Sequence, residues 1–504
     1  VAVRSGPHGL VGVYVLAPNE LVELAEAAVP RRLSEAECES FLSAACPPAA
    51  AIPENLPIRG GLDSYGASAL GSRALEGTTV TMAASALDGD GGFARQLEAF
   101  TERTGITIDL TAGEAQDISK IATGDLDLPD VIGFSSAIPT WAESRAIDIE
   151  RFVDGRTLRS DFGDYLLEIG TRGGSRSAGI GGVRAIPLTV DLKGLVFYPE
   201  TAFRDAGYEV PATWDELIAL SHQIVADGGT PWCFGFASGL AGGWPGSDLL
   251  ESLVLRVGGV DEYDAWTAGE LGFTHPVVRE AGRLADSLVF ESGFVRGGPA
   301  RVSSESYDDQ LFHMLNRNRA TGEIEPDCWL YHQANFVLRV VPPETRIGED
   351  IDFFMLPPVD PDQPTPGTGG ALFASAMVDR PEVRAFVEYL ASPEWGEVWA
   401  TGTDSGFVSA NRRFDVSAYG DATADPAAAV RQAMATAAQT ALAADLWRYD
   451  ASDLMPTRIG GFTEGVGPGA FWRGMLDWVD GIRTIDQVLV DIDDEWATLR
   501  AEGD

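Results

Sequence analysis

Lysine is almost missing from this chain: Lys120 and Lys193 are the only two in 504 residues, and arginine supplies the rest of the 36 basic side chains. Against them stand 76 acidic residues, a net charge of −40. That balance excludes a nucleic-acid binder, because too little positive charge is left to neutralise phosphates. It also excludes docking on an anionic lipid surface. No run of 18 apolar residues occurs, so no helix is expected to span a membrane. Cysteine is scarce as well. Four are too few for a scaffold that depends on disulfides. Cys38 and Cys46 can bridge locally and Cys233 and Cys328 only through the fold, and three pairings remain open. The five histidines show no ligand spacing, and neither C-x-x-C nor H-E-x-x-H is present, so no metal site is expected. G-x-S-x-G, the P-loop and the dinucleotide fingerprint are absent too. The glycine-rich GIGGVR at 179–184 follows no convincing strand, and no cofactor is expected. Paired carboxylates can hydrolyse glycosides. Among 76 acidic residues, however, chance pairs are certain, so a glycoside hydrolase stands only as a distant alternative.

The ends are equally spare. VAVRSGPHGLVGVYVLAP has no basic region ahead of a long apolar run, so it does not read as a signal peptide. Cys46 in LSAAC follows residues too polar for a lipoprotein attachment box. Two readings fit: a chain that works in the cytoplasm, or a piece of a longer protein whose whole is extracellular or membrane-associated.

What is present is a large apolar fraction, 45%, and length for two to four domains. Residues 18–47 read as one or two short helices, with Ser34 and Glu37 as a capping box, and 47–76 as a linker. From Thr78 the pattern turns regular. TTVTMAAS is a strand, GGFARQLEAFTERTG a helix stopped by Gly105, and ITIDLTAG a second strand. A helix across 114–123 and the strand DLPDVIGFSS follow. This βαβαβ rhythm predicts a parallel sheet with helices on both faces. It resumes after 185 with two short strands in AIPLTVDLKGLVFYP and a helix capped by Thr213 and Glu216. WCFGFAS is expected as a strand, GSDLLESLVLRVGG as a helix, and IDFFMLPPVD as a strand. GALFASAMVD is a strand leading into a helix that starts at Pro381. Residues 425–447 read as a long helix and 468–500 as two closing helices. The fold class expected is therefore α/β.

Several aromatic residues fall in polar, glycine-rich segments that read as loops: Trp244 in LAGGWPGSD, Tyr307 in SSESYDDQ, Trp329 in EPDCWLYHQ and Phe407 in TGTDSGFVSAN. Such rings either anchor a loop to the core or stack on a ligand. Trp244 is the best candidate for stacking, with Ser247 and Asp248 beside it. A sugar offers a C–H face to a ring and hydroxyls to a carboxylate.

At this point the sequence resembles the extracellular solute-binding proteins of ABC importers, the sugar-binding family that includes maltose-binding protein, and within it the binding proteins for alpha-glucosides. The likeness is carried by AIPLTVDLKGLVFYPETAFRDAGYEVPATWDELIALSHQI (185–224), PWCFGFASGLAGGWPGSDLLESLVLRVGG (231–259) and FFMLPPVD (353–360). ASPEWGEVWATGTDSGFVSANR (391–412), YDASDLMP (449–456) and FWRGMLDWVDG (471–481) add to it, and in all it spans about 425 residues. The resemblance implies a two-lobed periplasmic-binding-protein type II fold, a Venus flytrap with hinge-crossing strands. Lobe one would hold 78–190 and 360–415, and lobe two 191–355 and 420–504. It implies capture of a sugar or oligosaccharide, an alpha-glucoside above all, in the interlobe cleft. The partner implied is an ABC permease, and the binding protein acts as a monomer that breaks no bond. It points to Asp88 in the loop after the first strand and to Ser135 and Ser136 after the third. Trp244 and Asp248 fall in a Gly-Trp-Pro-x-x-Asp arrangement, Gly370 follows Gly369 in a returning loop, and Phe407 follows Gly406 before the last crossover.

The N-terminal segment resembles something else. LVELAEAAVPRRLSEAECESFLSAACP (21–47) is similar to the tail after WD40-type propellers in large actinobacterial regulatory proteins, on Arg32, Leu33, Ser34, Glu37, Cys38, Cys46 and Pro47. VAVRSGPHGLVGVYVL would then end a last blade. This likeness implies a ligand-sensing module within a regulatory fusion, cytoplasmic in that case, as the alternative to transport.

Overall fold

The structure, a computed structural model, describes residues 2–5, 11–14, 75–84, 91–112, 121, 127–134, 142, 145–172, 182–402, 406–463 and 467–502. The chain divides into two compact units, Val1–Gly71 and Ser72–Asp504. In the first, β1 (Ala2–Ser5) and β2 (Val11–Tyr14) form an antiparallel hairpin. Ser34, Glu37, Cys38, Cys46 and the whole 21–47 pattern lie outside the described residues, as does nearly all of the helix expected at 114–123.

The second unit opens with β3 (Thr79–Ala84), α1 (Gly92–Thr104), β4 (Thr107–Ala112) and β5 (Val131–Phe134). Helix α1 forms where Phe93, Leu97 and Phe100 fall on one face. It ends at Gly105, whose φ of 74° lets its N–H return to the Thr101 carbonyl at 2.7 Å. Helices α2 (Gly155–Phe162) and α3 (Asp164–Arg172) precede β6 (Ile186–Val190). Then come β7 (Leu195–Tyr198), α4 (Glu200–Asp205) and α5 (Trp214–Ala226). The long α6 (Trp244–Thr267) and α7 (Pro276–Val289) follow. Strands β8 (Tyr331–Gln333), β9 (Asp352–Met355), β10 (Gly367–Gly369) and β11 (Ala371–Ala376) lead to α8 (Pro381–Leu390). The chain closes with α9 (Pro426–Ala443), β12 (Trp447–Tyr449), α10 (Ala470–Val479) and α11 (Ile485–Glu502).

Two sheets organise these elements. The first has the order β4-β3-β5-β11-β6. It departs from the all-parallel expectation: β3 runs parallel to β4 and β5, but β11 is antiparallel to both β5 and β6. The βα rhythm of residues 78–134 fixes only local direction, and β11 arrives from more than 200 residues later in the sequence. The second sheet, β8-β7-β9, is antiparallel throughout. WCFGFAS is not a strand. Trp232 and Ala237 make only isolated bridges, to Val295, Leu330 and Ser306. The long expected helix 425–447 also stops early, at Ala443, and Trp447–Tyr449 pair as a strand instead. Capping proceeds as expected at α5, where the Thr213 hydroxyl accepts from the Glu216 N–H at 3.2 Å. The Glu216 carboxylate, however, reaches one residue further back, to the Ala212 N–H.

Three segments cross between the sheets. Residues 191–193 run from β6 to β7, 367–370 run from β10 into β11, and 447–450 pair alongside. The Lys193 N–H donates to the Thr368 carbonyl at 2.7 Å and the Asp191 N–H to Gly370 at 2.8 Å. β10 and β12 are parallel, and the Asp450 N–H donates to Gly369 at 3.0 Å. Large aromatic cores lie on either side. Phe93 packs edge-on to Trp395 and Trp399 on one. Trp266, Phe273, Phe471 and Trp496 interlock on the other. Cys233 and Cys328 form a disulfide across 95 residues, tying the segment before α6 to the approach to β8.

Candidate functional site

The first turn of α6 builds the site. Trp244 is not in a loop: it is the first residue of the helix, after Gly243. Gly243 has φ of 102°, and a Cβ there would collide with the Trp472 carbonyl oxygen. Only glycine fits such a junction without strain, so the backbone at 243 fixes where Trp244 projects. The Trp244 ring is half-buried. It meets Tyr307 edge-on at 4.8 Å between centroids and lies 6.0 Å from Phe336. All three rings are partly exposed, and the Arg339 guanidinium stands 5.9 Å from the Phe336 centroid. Tyr307 is held from behind, its carbonyl accepting from the Tyr331 hydroxyl. The rings thus form an apolar edge with a cation beside it.

Behind the rings is a buried charge network. Lys193, in the crossing segment, directs its ammonium to Asp248 Oδ1 at 2.8 Å and to Asp450 Oδ2, and it stands 5.6 Å from the Trp244 centroid. Asp248 and Glu251 are one turn apart on α6 and both buried. Glu251 accepts the N–H groups of Ala451 and Ser452 at 2.9 and 3.1 Å, at the start of the short helix Ala451–Leu454. Burial pulls the Lys193 ammonium down, but the carboxylates of Asp248, Asp450 and Glu251 outweigh it and hold its pKa well above the ordinary value. Burial, then Asp450 and Asp248, pushes Glu251 well above the carboxylate range. Asp450 is lowered: Lys193 and hydrogen bonds from Glu251, Lys193 and Ser452 overcome its burial. Asp248 is raised by burial, against the pull of Lys193. Asp248, Glu251 and Asp450 lie close enough together to suggest a cation site. The Lys193 ammonium already supplies the positive charge between Asp248 and Asp450.

Of the residues singled out in the sequence, Trp244, Asp248 and Tyr307 meet here. Gly370 joins them through Asp191: its carbonyl takes the Asp191 N–H, and a Cβ on it would lie 3.2 Å from the Asp191 carboxylate. Asp248 is buried rather than open, with one oxygen on Lys193 and the other without a partner. Trp329 packs elsewhere, edge-on to Tyr208 at 5.0 Å, in a surface pocket that also includes Arg317 and Asp350. The Phe407 ring lies in the core against Trp399 and Phe414, although the neighbouring Gly406 carbonyl accepts from Asn335, the residue before Phe336. Asp88, Ser135 and Ser136 lie outside the described residues. Sequence reasoning missed Asp191, Lys193, Glu251, Phe336, Arg339 and Asp450. A usable signal existed for two of them: a glutamate inside the apolar helical run DLLESLVL, and one of only two lysines in the chain.

Two sheets linked by crossing segments, with rings and buried charge beside the crossing, define a two-lobed solute-binding fold. Residues 84–397 match the bacterial extracellular solute-binding protein family, and the chain belongs to that family. It is 32% identical over 397 residues to the alpha-glucosides-binding periplasmic protein AglE of Rhizobium meliloti, 78% of each chain. It is 31% identical over 317 residues to the osmoprotective compounds-binding protein GgtB of Synechocystis, 63% of this chain and 68% of that one. Among solved structures it resembles the bacterial solute receptor AcbH, with a TM-score of 0.61 and 16% identity over 84% of this chain and 98% of that one. It also resembles maltose-bound MalE3 of T. maritima, with a TM-score of 0.58 and 16% identity over 84% and 100%. These structures support the two-lobed fold. No helix among the described residues is long and apolar enough to cross a membrane.

Proposed function

We propose that this chain captures an alpha-glucoside between its two lobes and delivers it to an ABC permease, acting as a monomer. Lobe one is formed by 78–190 and 360–415, and lobe two by 191–355 and 420–504. The observation that carries the reading is the trio of half-exposed rings, Trp244, Tyr307 and Phe336, placed beside the crossing segments. The C–H face of a sugar stacks on Trp244, and its hydroxyls bond to Asp191, Arg339 and the backbone near Gly370. Asp88, Ser135 and Ser136 are further sugar contacts assigned from the sequence resemblance alone. Asp248 acts from behind, through Lys193. The relative that is named for alpha-glucosides supports this substrate class. Capture and release break no bond, so overnight incubation with a maltodextrin leaves it intact.

The test is a thermal-shift screen against maltose, trehalose, sucrose, longer alpha-glucosides, polyols and amino acids. A solute that binds only the folded chain raises the melting temperature by mass action. The expected result is a shift with alpha-glucosides that Trp244→Ala reduces, with binding at least tenfold weaker, about 1.4 kcal/mol. A shift with amino acids alone, or none, counts against the reading. A second reading, ligand sensing within a regulatory fusion, draws on the N-terminal hairpin in its own compact unit. A propeller encoded upstream in the same reading frame favours it, and adjacent permease genes favour transport.

A further inference from the structure

We propose that Lys193 is the positioning residue that couples occupancy of the Trp244 site to the crossing between the lobes. This rests on the reading of Trp244 as a sugar platform. The geometry is specific. One ammonium is shared by Asp248 on α6 and Asp450 at the end of the β12 crossing, and Lys193 itself belongs to a second crossing segment. The third crossing is bonded to both: the Lys193 N–H reaches Thr368 at 2.7 Å and the Asp450 N–H reaches Gly369 at 3.0 Å. Glu251, one turn along α6 from Asp248, caps the chain just beyond Asp450. The first two turns of the helix that presents Trp244 are therefore tied to the crossing backbone by one cation and one backbone cap, while further along it the Tyr263 hydroxyl donates to the Tyr449 carbonyl at 3.0 Å and Asp264 accepts from Arg448 at 2.8 Å. The same ammonium stands 5.6 Å from the Trp244 centroid. A displacement of the Trp244 turn moves Asp248, and the shared ammonium passes the movement to Asp450.

A surface ion pair would carry no such argument, but here both carboxylates and the lysine are buried, so their geometry is held. Asp248 Oδ2 has no partner in the buried site. The pairing is thus made through one oxygen of that carboxylate. Hinge and shear motions are absorbed at a few element ends, and this network sits at two of them.

The test compares wild type with Lys193→Met and with Lys193→Met/Asp248→Asn, the second variant removing the α6 carboxylate that the lysine bonds directly. Trehalose and maltose affinity is measured by calorimetry, radius of gyration by scattering with and without sugar, and melting temperature in parallel. The expected result for the double variant is a melting temperature closer to wild type than that of Lys193→Met, binding weakened tenfold or more, and a loss of sugar-induced compaction. Combined with Trp244→Ala, the affinity losses are non-additive. In sugar-free protein the double variant also shows a larger or broader radius-of-gyration distribution. Unchanged compaction and affinity in the double variant overturn the proposal while leaving the Trp244 site standing. If neither sugar binds the wild type, the sugar reading fails. The sugar-free scattering then decides the coupling alone, and identical profiles overturn it.

Discussion

At the residue scale, chemistry is set by burial more than by residue type. Trp244 and Trp329 look alike in the sequence, each a tryptophan in a polar stretch. Only Trp244 meets other half-exposed rings at the crossing, whereas Trp329 is engaged by Tyr208 and Phe203. Nothing local separates them, because the partners come from distant segments. The same holds for Asp248, legible as a neighbour of Trp244 but not as a buried partner of Lys193, 55 residues away. Glu388 on α8 gives a direct test of burial. Its carboxyl is pushed up to about 7 by burial, against Arg384. A folded-state pKa above the unfolded value means that the native state binds more protons between about 4.5 and 7. Stability from this residue is present below pH 4.5 and lost as pH rises through 7. Glu388→Gln is therefore expected to raise the melting temperature at pH 8 by about 2 °C or more, with little effect at pH 5. Parallel pH profiles in differential scanning calorimetry would contradict it.

At the scale of elements, periodicity was informative where an element buries one face and uninformative where pairing decides. Helix α1, with its apolar stripe and Gly105 stop, lies where the sequence puts it, as do α5 with its Thr213 cap and α8 beginning at Pro381. WCFGFAS has strand-like composition, yet its backbone bonds are split among Phe294, Leu330 and Val302, so no continuous ladder forms. Trp447–Tyr449 leaves the helical pattern because three ladder positions with β10 hold it in the crossing. The start of α6 is the element on which the site depends. Gly243→Ala adds a left-handed residue and a collision with the Trp472 carbonyl. The expected cost is about 1–3 kcal/mol, with weakened sugar binding because Trp244 moves. Urea unfolding and calorimetry check both, and an unchanged midpoint with unchanged affinity would contradict the account. The Cys233–Cys328 bridge anchors the segment that leads into this helix. Replacing both cysteines with serine is expected to cost roughly 2–5 kcal/mol by urea unfolding. A loss below about 0.5 kcal/mol would show that packing alone holds the segment.

At the scale of the whole molecule, the two sheets, their separate cores and the three crossings give the chain the architecture of the extracellular solute-binding family. The order of motifs along the sequence carried that much, because each lobe's βα units are local. The antiparallel insertion of β11 was not legible, and hinge-crossing strands were expected from the family resemblance alone, since 191–193, 367–370 and 447–450 join segments far apart in the chain. The net charge of −40 disfavours close approach between copies of the chain. Affinity in such a device depends on the open–closed balance as well as on contacts. Small-angle X-ray scattering of the wild type, without sugar and saturated with the alpha-glucoside that most raises its melting temperature, tests this directly. The account predicts a smaller radius of gyration in the saturated sample. Superimposable profiles at saturation would contradict capture between closing lobes.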